Sequence, residues 1–163
     1  MFCIKSNLSL LFLVIAFSLH NVEEVVRDLP AWMAVHFNEA VRIESSTFET
    51  AIVLVSLLSW AIYAFCRFLP QHPLSTWLTA IMSASFLANS FSHVGLSVAK
   101  LSLMPGLYSA ILVLGPISAV SLFNTARRLR LGYIGLTLLF LGGAAIQWVV
   151  PLLVLRFSSV VVS

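Results

Sequence analysis

Five long apolar blocks take up most of this sequence and constrain its fold more than any other feature. They cover approximately residues 7–27, 47–68, 74–99, 105–126 and 131–157. Each is close to the roughly 20 residues that an α-helix needs to cross about 30 Å of hydrocarbon. Only 9% of the residues are charged, against about 25% in soluble domains. Because an open strand cannot satisfy its backbone in lipid, we expect an all-α integral membrane protein. It should form one helical bundle over residues 1–163, with about five transmembrane helices.

Basic residues predict how the bundle is oriented. Arg127, Arg128 and Arg130 cluster between the last two blocks, and the positive-inside rule places such a short loop in the cytoplasm. With five spans, the N-terminus is then cytoplasmic as well. The net charge of +3 is explained by this topology, so we expect no nucleic-acid partner.

The first block has a second interpretation. Lys5, the apolar run 8–19 and the small residues Ala16 and Ser18 also fit a cleavable signal peptide. Cleavage after Ser18 would leave four spans. We favour a retained helix, because apolar residues resume at Val22, beyond that cleavage point.

Ionisable residues form a stripe at the end of the first block. His20, Glu23, Glu24 and Arg27 are spaced i, i+3, i+4 and i+7, which places all four side chains on one face of a helix. A charge at the centre of a membrane span costs about 2.5–3.5 kcal/mol on insertion scales, so such residues usually face the bundle interior and mark a site. The stripe therefore predicts one wall of a polar site.

A second polar stripe lies on the third block, where Asn89 and His93 are spaced i, i+4. Because alternate helices of a bundle run in opposite directions, both stripes should lie near the same side of the membrane. Glu49 and Tyr108 belong to the same level, and Gln147 lies at a comparable depth. We therefore predict a polar chamber near the outer leaflet, with Asn89, Tyr108 and Glu49 around its His and Glu residues.

The segment 28–46 is too polar to span and should connect the first two helices along the outer interface. A short helix can begin near Pro30, and it would carry Met33, Phe37 and Val41 on one apolar side. This segment is either a lid over the chamber or an ordinary interfacial connector.

A motif at residues 20–24, with the sequence His-Asn-Val-Glu-Glu, resembles the signature of the HXXEE domain family of small bacterial membrane proteins. His93 and the Pro-Gly pair at 105–106 resemble two further features of that family. Tyr108 follows the Pro-Gly pair, whereas the resemblance would place a tyrosine before it. The resemblance implies a bacterial inner-membrane protein whose site includes the histidines and glutamates, and it implies no particular reaction.

The residue types themselves suit a metal site. His20, His93 and Glu24 provide two imidazoles and a carboxylate, which bind divalent zinc, iron or manganese. Water on such a metal can attack an ester, amide or phosphoryl group. Glu23 or Glu24 would be the catalytic general base. Because lipids are the accessible substrates at this depth, the sequence favours a metal-dependent membrane hydrolase that acts on a lipid or other amphipathic molecule.

Two other interpretations remain open. The first is a non-enzymatic binding, transport or proton-relay component; five helices without an inverted repeat are few for a transporter, so it would need a partner subunit or a homo-oligomer. In the second, Glu23 or Glu24 pairs with Arg27 or His93 only to hold two helices together. The metal hypothesis also lacks a recognised signature, since an H-E-x-x-H helix carries two histidine ligands and the first block has one histidine.

Overall fold

The computed structural model of the protein describes residues 2–37 and 43–162, with side chains over 9–37 and 43–158. The described chain folds into six helices and contains no strand, so the predicted all-α fold is confirmed. The helices are α1 (Phe2–Val26), α2 (Leu29–Phe37), α3 (Ser45–Phe68), α4 (Pro73–Ala99), α5 (Leu107–Arg128) and α6 (Tyr133–Val162).

Four of these helices, α1, α3, α5 and α6, are long and apolar enough to cross a membrane. They correspond to four of the five predicted blocks, and the chain is an integral membrane helical bundle. The fifth block forms α4, which is equally long at 27 residues but contains Asn89, His93 and many serines. This helix packs against all four of the apolar helices. Its polar side chains can therefore contact other helices instead of lipid.

The main core lies where α1 meets α4 and α5. Phe17 of α1 and Phe86 of α4 stack with their ring centroids 4.0 Å apart. Around this pair lie the buried residues Leu10, Leu13, Val14, Ala16, Cys66, Met82 and Leu114. Residues of α1 from Leu10 to Phe17 thus share one core with α4. This packing sets the position of α1 in the bundle.

Small residues bring α4 close to α5 and α6. Ser83 Oγ of α4 donates a hydrogen bond of 2.7 Å to Ser121 Oγ of α5. On the other side, a Cβ placed on Gly143 of α6 would lie 2.7 Å from the carbonyl carbon of Ala84. Lipid provides no hydrophobic drive between helices, so close van der Waals contact and interhelical hydrogen bonds hold such a bundle together.

The first part of α5 contains a wide turn. Residues Ala110–Leu114 are π-helical, and the Gly115 N–H donates to the Ala110 carbonyl five residues earlier. Pro116 follows directly; it has no N–H, and its ring would clash with the preceding turn of a regular α-helix. The wide turn accommodates the proline, and turns of this kind are frequent beside functional sites.

The short helix α2 packs on one end of the bundle. Asp28 joins it to α1 with a left-handed backbone, at φ 52°, and its Oδ1 caps α2 by accepting from the Ala31 N–H at 3.1 Å. Leu29 at the start of α2 forms a small buried cluster with Phe48 and Met104. The helix is therefore packed against the bundle, as an interfacial connector or a lid would be.

Side-chain hydrogen bonds also tie α2 to the loop after α4. Trp32 Nε1 donates to Ser102 Oγ at 3.0 Å, and Lys100 Nζ donates to the His36 carbonyl at 2.9 Å. Val41, the last member of the predicted apolar stripe, lies outside the described residues.

We predict that Gly143→Ala lowers the free energy of unfolding by about 1–3 kcal/mol, because the new methyl group would overlap the Ala84 backbone. The neighbouring Gly142 is the matched control: nothing lies within 4 Å of a Cβ there, and alanine is otherwise about 1 kcal/mol better than glycine in a helix. Unfolding in detergent should separate the two variants. Equal stability of both variants would contradict the close approach of α4 and α6.

Candidate functional site

Two histidines from different helices meet one carboxylate. His20 and Glu24 belong to α1 and His93 to α4. His20 Nε2 lies 3.3 Å from Glu24 Oε1, and His93 Nε2 lies 3.0 Å from the same oxygen. The imidazole rings meet edge to face, with centroids 4.6 Å apart. We call these three residues the His/Glu triad; one ligand atom from each lies within 4.8 Å of the others.

The triad is almost completely enclosed. His20, His93 and Glu24 are exposed to 0%, 2% and 7%, respectively. His20 and Glu24 are one helical turn apart on α1, which aligns their side chains on one face. An ionised carboxylate at such a position is costly unless hydrogen bonds and positive charge compensate it. The two imidazoles are placed to provide that compensation.

Gly106 closes the triad from the loop before α5. Its φ is 88°, a left-handed value that glycine adopts without strain. A Cβ at this position would lie 2.8 Å from Cε1 of both His20 and His93, and 3.0 Å from Glu24 Cγ. Only a residue without a side chain can pass so close to the triad, so Gly106 brings backbone to within contact distance of all three members.

Both ring nitrogens of His20 have hydrogen-bond partners. Nδ1 lies 3.0 Å from Ser109 Oγ, whose hydroxyl donates to the Gly106 carbonyl at 3.1 Å. Nε2 lies 2.8 Å from Asn89 Nδ2. With the Asn89 amide in this orientation and the Ser109 proton donated to Gly106, a neutral His20 carries its proton on Nδ1 and leaves Nε2 as an acceptor.

The hydrogen bonds continue from His20 to α6. Asn89 Oδ1 accepts from Gln147 Nε2 at 3.0 Å, and Gln147 Oε1 accepts from Ser92 Oγ at 3.2 Å. Ser92 Oγ also lies 3.0 Å from the Ala88 carbonyl of its own helix. Three helices therefore fix the orientation of the His20 ring through one chain of side chains.

Glu23, the neighbour of Glu24, faces the start of α5. Its Oε2 accepts from the Ser109 N–H at 2.8 Å, an N–H in the first turn of α5, where backbone donors lack helical partners. Its Oε1 lies 3.5 Å from Arg27 Nε, and the Arg27 guanidinium stacks over the Tyr108 ring at 4.5 Å. Glu23 thus fixes α5 against α1, and Ser109 joins it to His20.

Two buried polar atoms near the triad have no hydrogen-bond partner among the described residues. They are His93 Nδ1 and Glu23 Oε1. A network that serves only to hold helices together gains stability when every member is satisfied, and a partly satisfied one is costly. Glu23 Oε1 still has its ion pair with Arg27, whereas His93 Nδ1 has no such contact. The unsatisfied His93 nitrogen therefore favours a site with a ligand or a reaction over a purely structural network.

The structure brings together four of the residues predicted for the site, His20, Glu24, His93 and Asn89. Glu23 lies beside them, connected through Ser109. The roles predicted for all seven of these residues stay predictions. Tyr108 is 44% exposed and contacts Arg27; Glu49 is exposed in the first turns of α3.

Two contributors to the site are not predictable from the sequence pattern. Ser109 contacts His20 with its side chain and Glu23 with its backbone, yet a serine in an apolar block gives little signal. Gly106 was named only as part of the Pro-Gly pair, and its contact with all three triad residues depends on the left-handed turn.

Fold and site define an integral membrane helical bundle with a buried His/Glu triad at one end of α1. The family profile described as "Protein of unknown function with HXXEE motif" matches residues 11–121, more than half of the chain. The chain belongs to this HXXEE family, and the motif residues His20, Glu23 and Glu24 lie inside the matched region. No curated protein and no solved structure shows a significant match.

We predict that Gly106→Ala destabilises the protein by about 2 kcal/mol or more, because the methyl group would meet both imidazoles and a left-handed alanine is strained. Gly132→Ala is the control, since nothing lies within 4 Å of a Cβ there. Thermal unfolding in detergent would measure both. A Gly106→Ala protein as stable as the control would rule out the close approach of Gly106 to the triad.

Proposed function

We propose that this HXXEE protein is a metal-dependent membrane enzyme. In this proposal His20, Glu24 and His93 hold a divalent transition metal, and the substrate is a lipid or another amphipathic molecule. The observation that carries the proposal is the convergence of two histidine nitrogens on one oxygen of a buried carboxylate, at 3.3 and 3.0 Å.

The separations of the triad atoms suit a metal. Ligands about 2.0–2.1 Å from a tetrahedral zinc are about 3.3 Å from one another, close to the two distances measured to Glu24 Oε1. His20 Nδ1 is bonded to Ser109 Oγ at 3.0 Å, and a ligating histidine usually has such a partner on its other nitrogen. Two of the three separations between ligand atoms thus match a bound cation, and the third is within 4.8 Å.

In the amide orientation described above, the tautomer of His20 gives a second reason to expect a cation. With its proton on Nδ1, His20 turns the lone pair of Nε2 toward Glu24 Oε1, 3.3 Å away. Two acceptors at this distance repel each other unless a metal ion or a proton lies between them. Imidazole and carboxylate ligands favour zinc, iron or manganese.

The neighbouring residues provide the remaining parts of an enzyme site. A metal held by three protein ligands supplies a bound water of lowered pKa. Glu23 has one carboxylate oxygen without a hydrogen bond among the described residues, which suits a proton acceptor. Arg27, with a side chain 47% exposed, lies at the end of α1, where it can bind an anionic head group.

The membrane context supports a lipid substrate. The triad lies in the last two turns of α1, a helix apolar enough to span a membrane. In the orientation proposed from the basic loop, the N-terminus is cytoplasmic and the triad lies toward the outer leaflet of a bacterial inner membrane. Phospholipid is the most abundant polar substrate at that depth.

One observation favours a second candidate, a non-enzymatic binding, transport or proton-relay component that works with a partner subunit or as a homo-oligomer. The triad is at most 7% exposed, and closed metal sites are typically structural, whereas catalytic ones keep an accessible position. A closed site binds its cation without a reaction. The enzyme and a non-enzymatic component that binds a cation would both bind metal. Turnover of a lipid substrate distinguishes them.

Metal content of the detergent-purified full chain tests the metal centre. We expect close to one equivalent of zinc, iron or manganese in the wild type by mass spectrometry. His20→Ala, His93→Ala and Glu24→Gln should lose it, because removing a ligand leaves too few donors. His36→Ala is the control, since His36 bonds to Ser102 outside the triad. A metal-free wild type after incubation with these ions, or metal retained in all three triad variants, would refute the metal site.

Turnover of membrane lipid tests the enzyme itself. Metal-loaded protein in vesicles of bacterial phospholipid should form lipid products that mass spectrometry detects. Glu23→Gln should lower their rate roughly 100-fold or more while keeping an acceptor for the Ser109 N–H. No products from metal-loaded wild type would favour the binding candidate, and an unchanged rate in Glu23→Gln would exclude Glu23 as the base.

A further inference from the structure

The Asn89 amide is hydrogen-bonded to the His20 nitrogen that would bind a metal in the triad. Its Nδ2 lies 2.8 Å from His20 Nε2, and His20 Nε2 is also one of the two nitrogens that face Glu24 Oε1. A cation bound to His20 Nε2 would repel the partly positive N–H groups of this amide. The Asn89 side chain must therefore change its contact when the triad binds a metal.

A carboxamide can make that change without moving far. Its oxygen and nitrogen have nearly the same size and shape, so a half turn about the last bond exchanges an N–H donor for an oxygen acceptor. Such a turn would leave Asn89 Oδ1 about where Nδ2 is now. A carbonyl oxygen at that point faces a cation instead of opposing it.

The partners of Asn89 can reverse in the same way. Gln147 Nε2 now donates to Asn89 Oδ1 at 3.0 Å; after a half turn of its own amide, Gln147 Oε1 would accept from Asn89 Nδ2. Gln147 Nε2 would then donate to Ser92 Oγ. The Ser92 hydroxyl already has a second acceptor, the Ala88 carbonyl at 3.0 Å. Every hydrogen bond between these side chains is kept, with the opposite direction.

Resting on the metal site proposed above, we propose that Asn89 is a fourth metal-binding residue, whose carboxamide oxygen faces the cation when the Asn89–Gln147–Ser92 chain reverses. In the present direction the chain keeps the lone pair of His20 Nε2 occupied by a donor. In the reversed direction it adds an oxygen to two nitrogens and a carboxylate, so the water of the proposed enzyme would be a fifth ligand. This donor set suits zinc, manganese or ferrous iron, because soft metals such as copper(I) prefer sulfur.

Three features distinguish this chain from ordinary interhelical hydrogen bonds. One end of the chain is a triad nitrogen, and its middle consists of two carboxamides in succession. Its other end is a hydroxyl with two acceptors within reach. A single asparagine that only holds helices together needs none of these. The chain has two equivalent directions, and a cation at the triad selects one of them.

The test compares metal dissociation constants of Asn89→Asp and Asn89→Leu in the full chain, measured by competition with a chelator for zinc and manganese. Asn89→Asp keeps an oxygen in place, so its affinity should equal or exceed that of the wild type. Asn89→Leu has no donor atom, so its affinity should fall roughly 10- to 100-fold, the range for loss of a metal-supporting group. Asn124→Asp and Asn124→Leu are the matched controls, because Asn124 is exposed near the far end of α5.

Cobalt absorption spectra distinguish a ligand from a structural residue. The visible bands of bound cobalt(II) depend on its ligands and would stay unchanged if Asn89 only held helices together. Asn89→Leu should change the visible bands of bound cobalt(II), and Gln147→Leu should weaken affinity several-fold without removing a ligand. Wild-type affinity in Asn89→Leu, or equal losses in Asn89→Asp and Asn89→Leu, would overturn the role of Asn89. If Asn89→Leu does not fold, a loss of affinity in Asn89→Asp alone overturns it. A wild type that binds no metal refutes the metal site itself, so the two failures are distinguishable.

Discussion

The contact of His20 and His93 with one oxygen of Glu24 is the interaction on which the rest of this structure depends. A carboxylate exposed to only 7% cannot remain charged in a membrane bundle unless donors or a cation face it. Meeting that condition requires α1 and α4 to lie side by side at a fixed height. It also requires Gly106 at the start of α5, since any side chain there would fill the space of the triad.

The same condition explains why the most polar of the long helices packs against all the others. Asn89 and His93 must face α1, and Ser92 must reach Gln147 on α6, so α4 cannot present only apolar residues. Its apolar neighbours shield it. Close packing of small residues, such as Gly143 on Ala84, holds α4 in place where lipid gives no hydrophobic drive.

Much of this arrangement is predictable from the sequence, for identifiable reasons. The stripes of His20 with Glu24 and of Asn89 with His93 follow from the helical period. Because the direction alternates along the chain, the first and third blocks run the same way and the ends of both stripes come to one level. The period cannot show which neighbours touch. Glu23 therefore could not be distinguished from Glu24, although only Glu24 reaches both histidines. Gly106 and Ser109 depend on a left-handed turn and a backbone hydrogen bond, which leave no periodic signal.

X-ray absorption spectroscopy of the metal in purified, fully loaded protein is the most direct measurement of the proposed metal centre. We expect a first shell of two imidazole nitrogens, with their characteristic outer-shell scattering, and one or two oxygens at about 2.0–2.2 Å. A shell that contains sulfur, or one of oxygens alone, would contradict the metal site at His20, Glu24 and His93. The expected shell would place the metal at the HXXEE motif. Either contradicting shell would mean that the metal binds elsewhere in the protein.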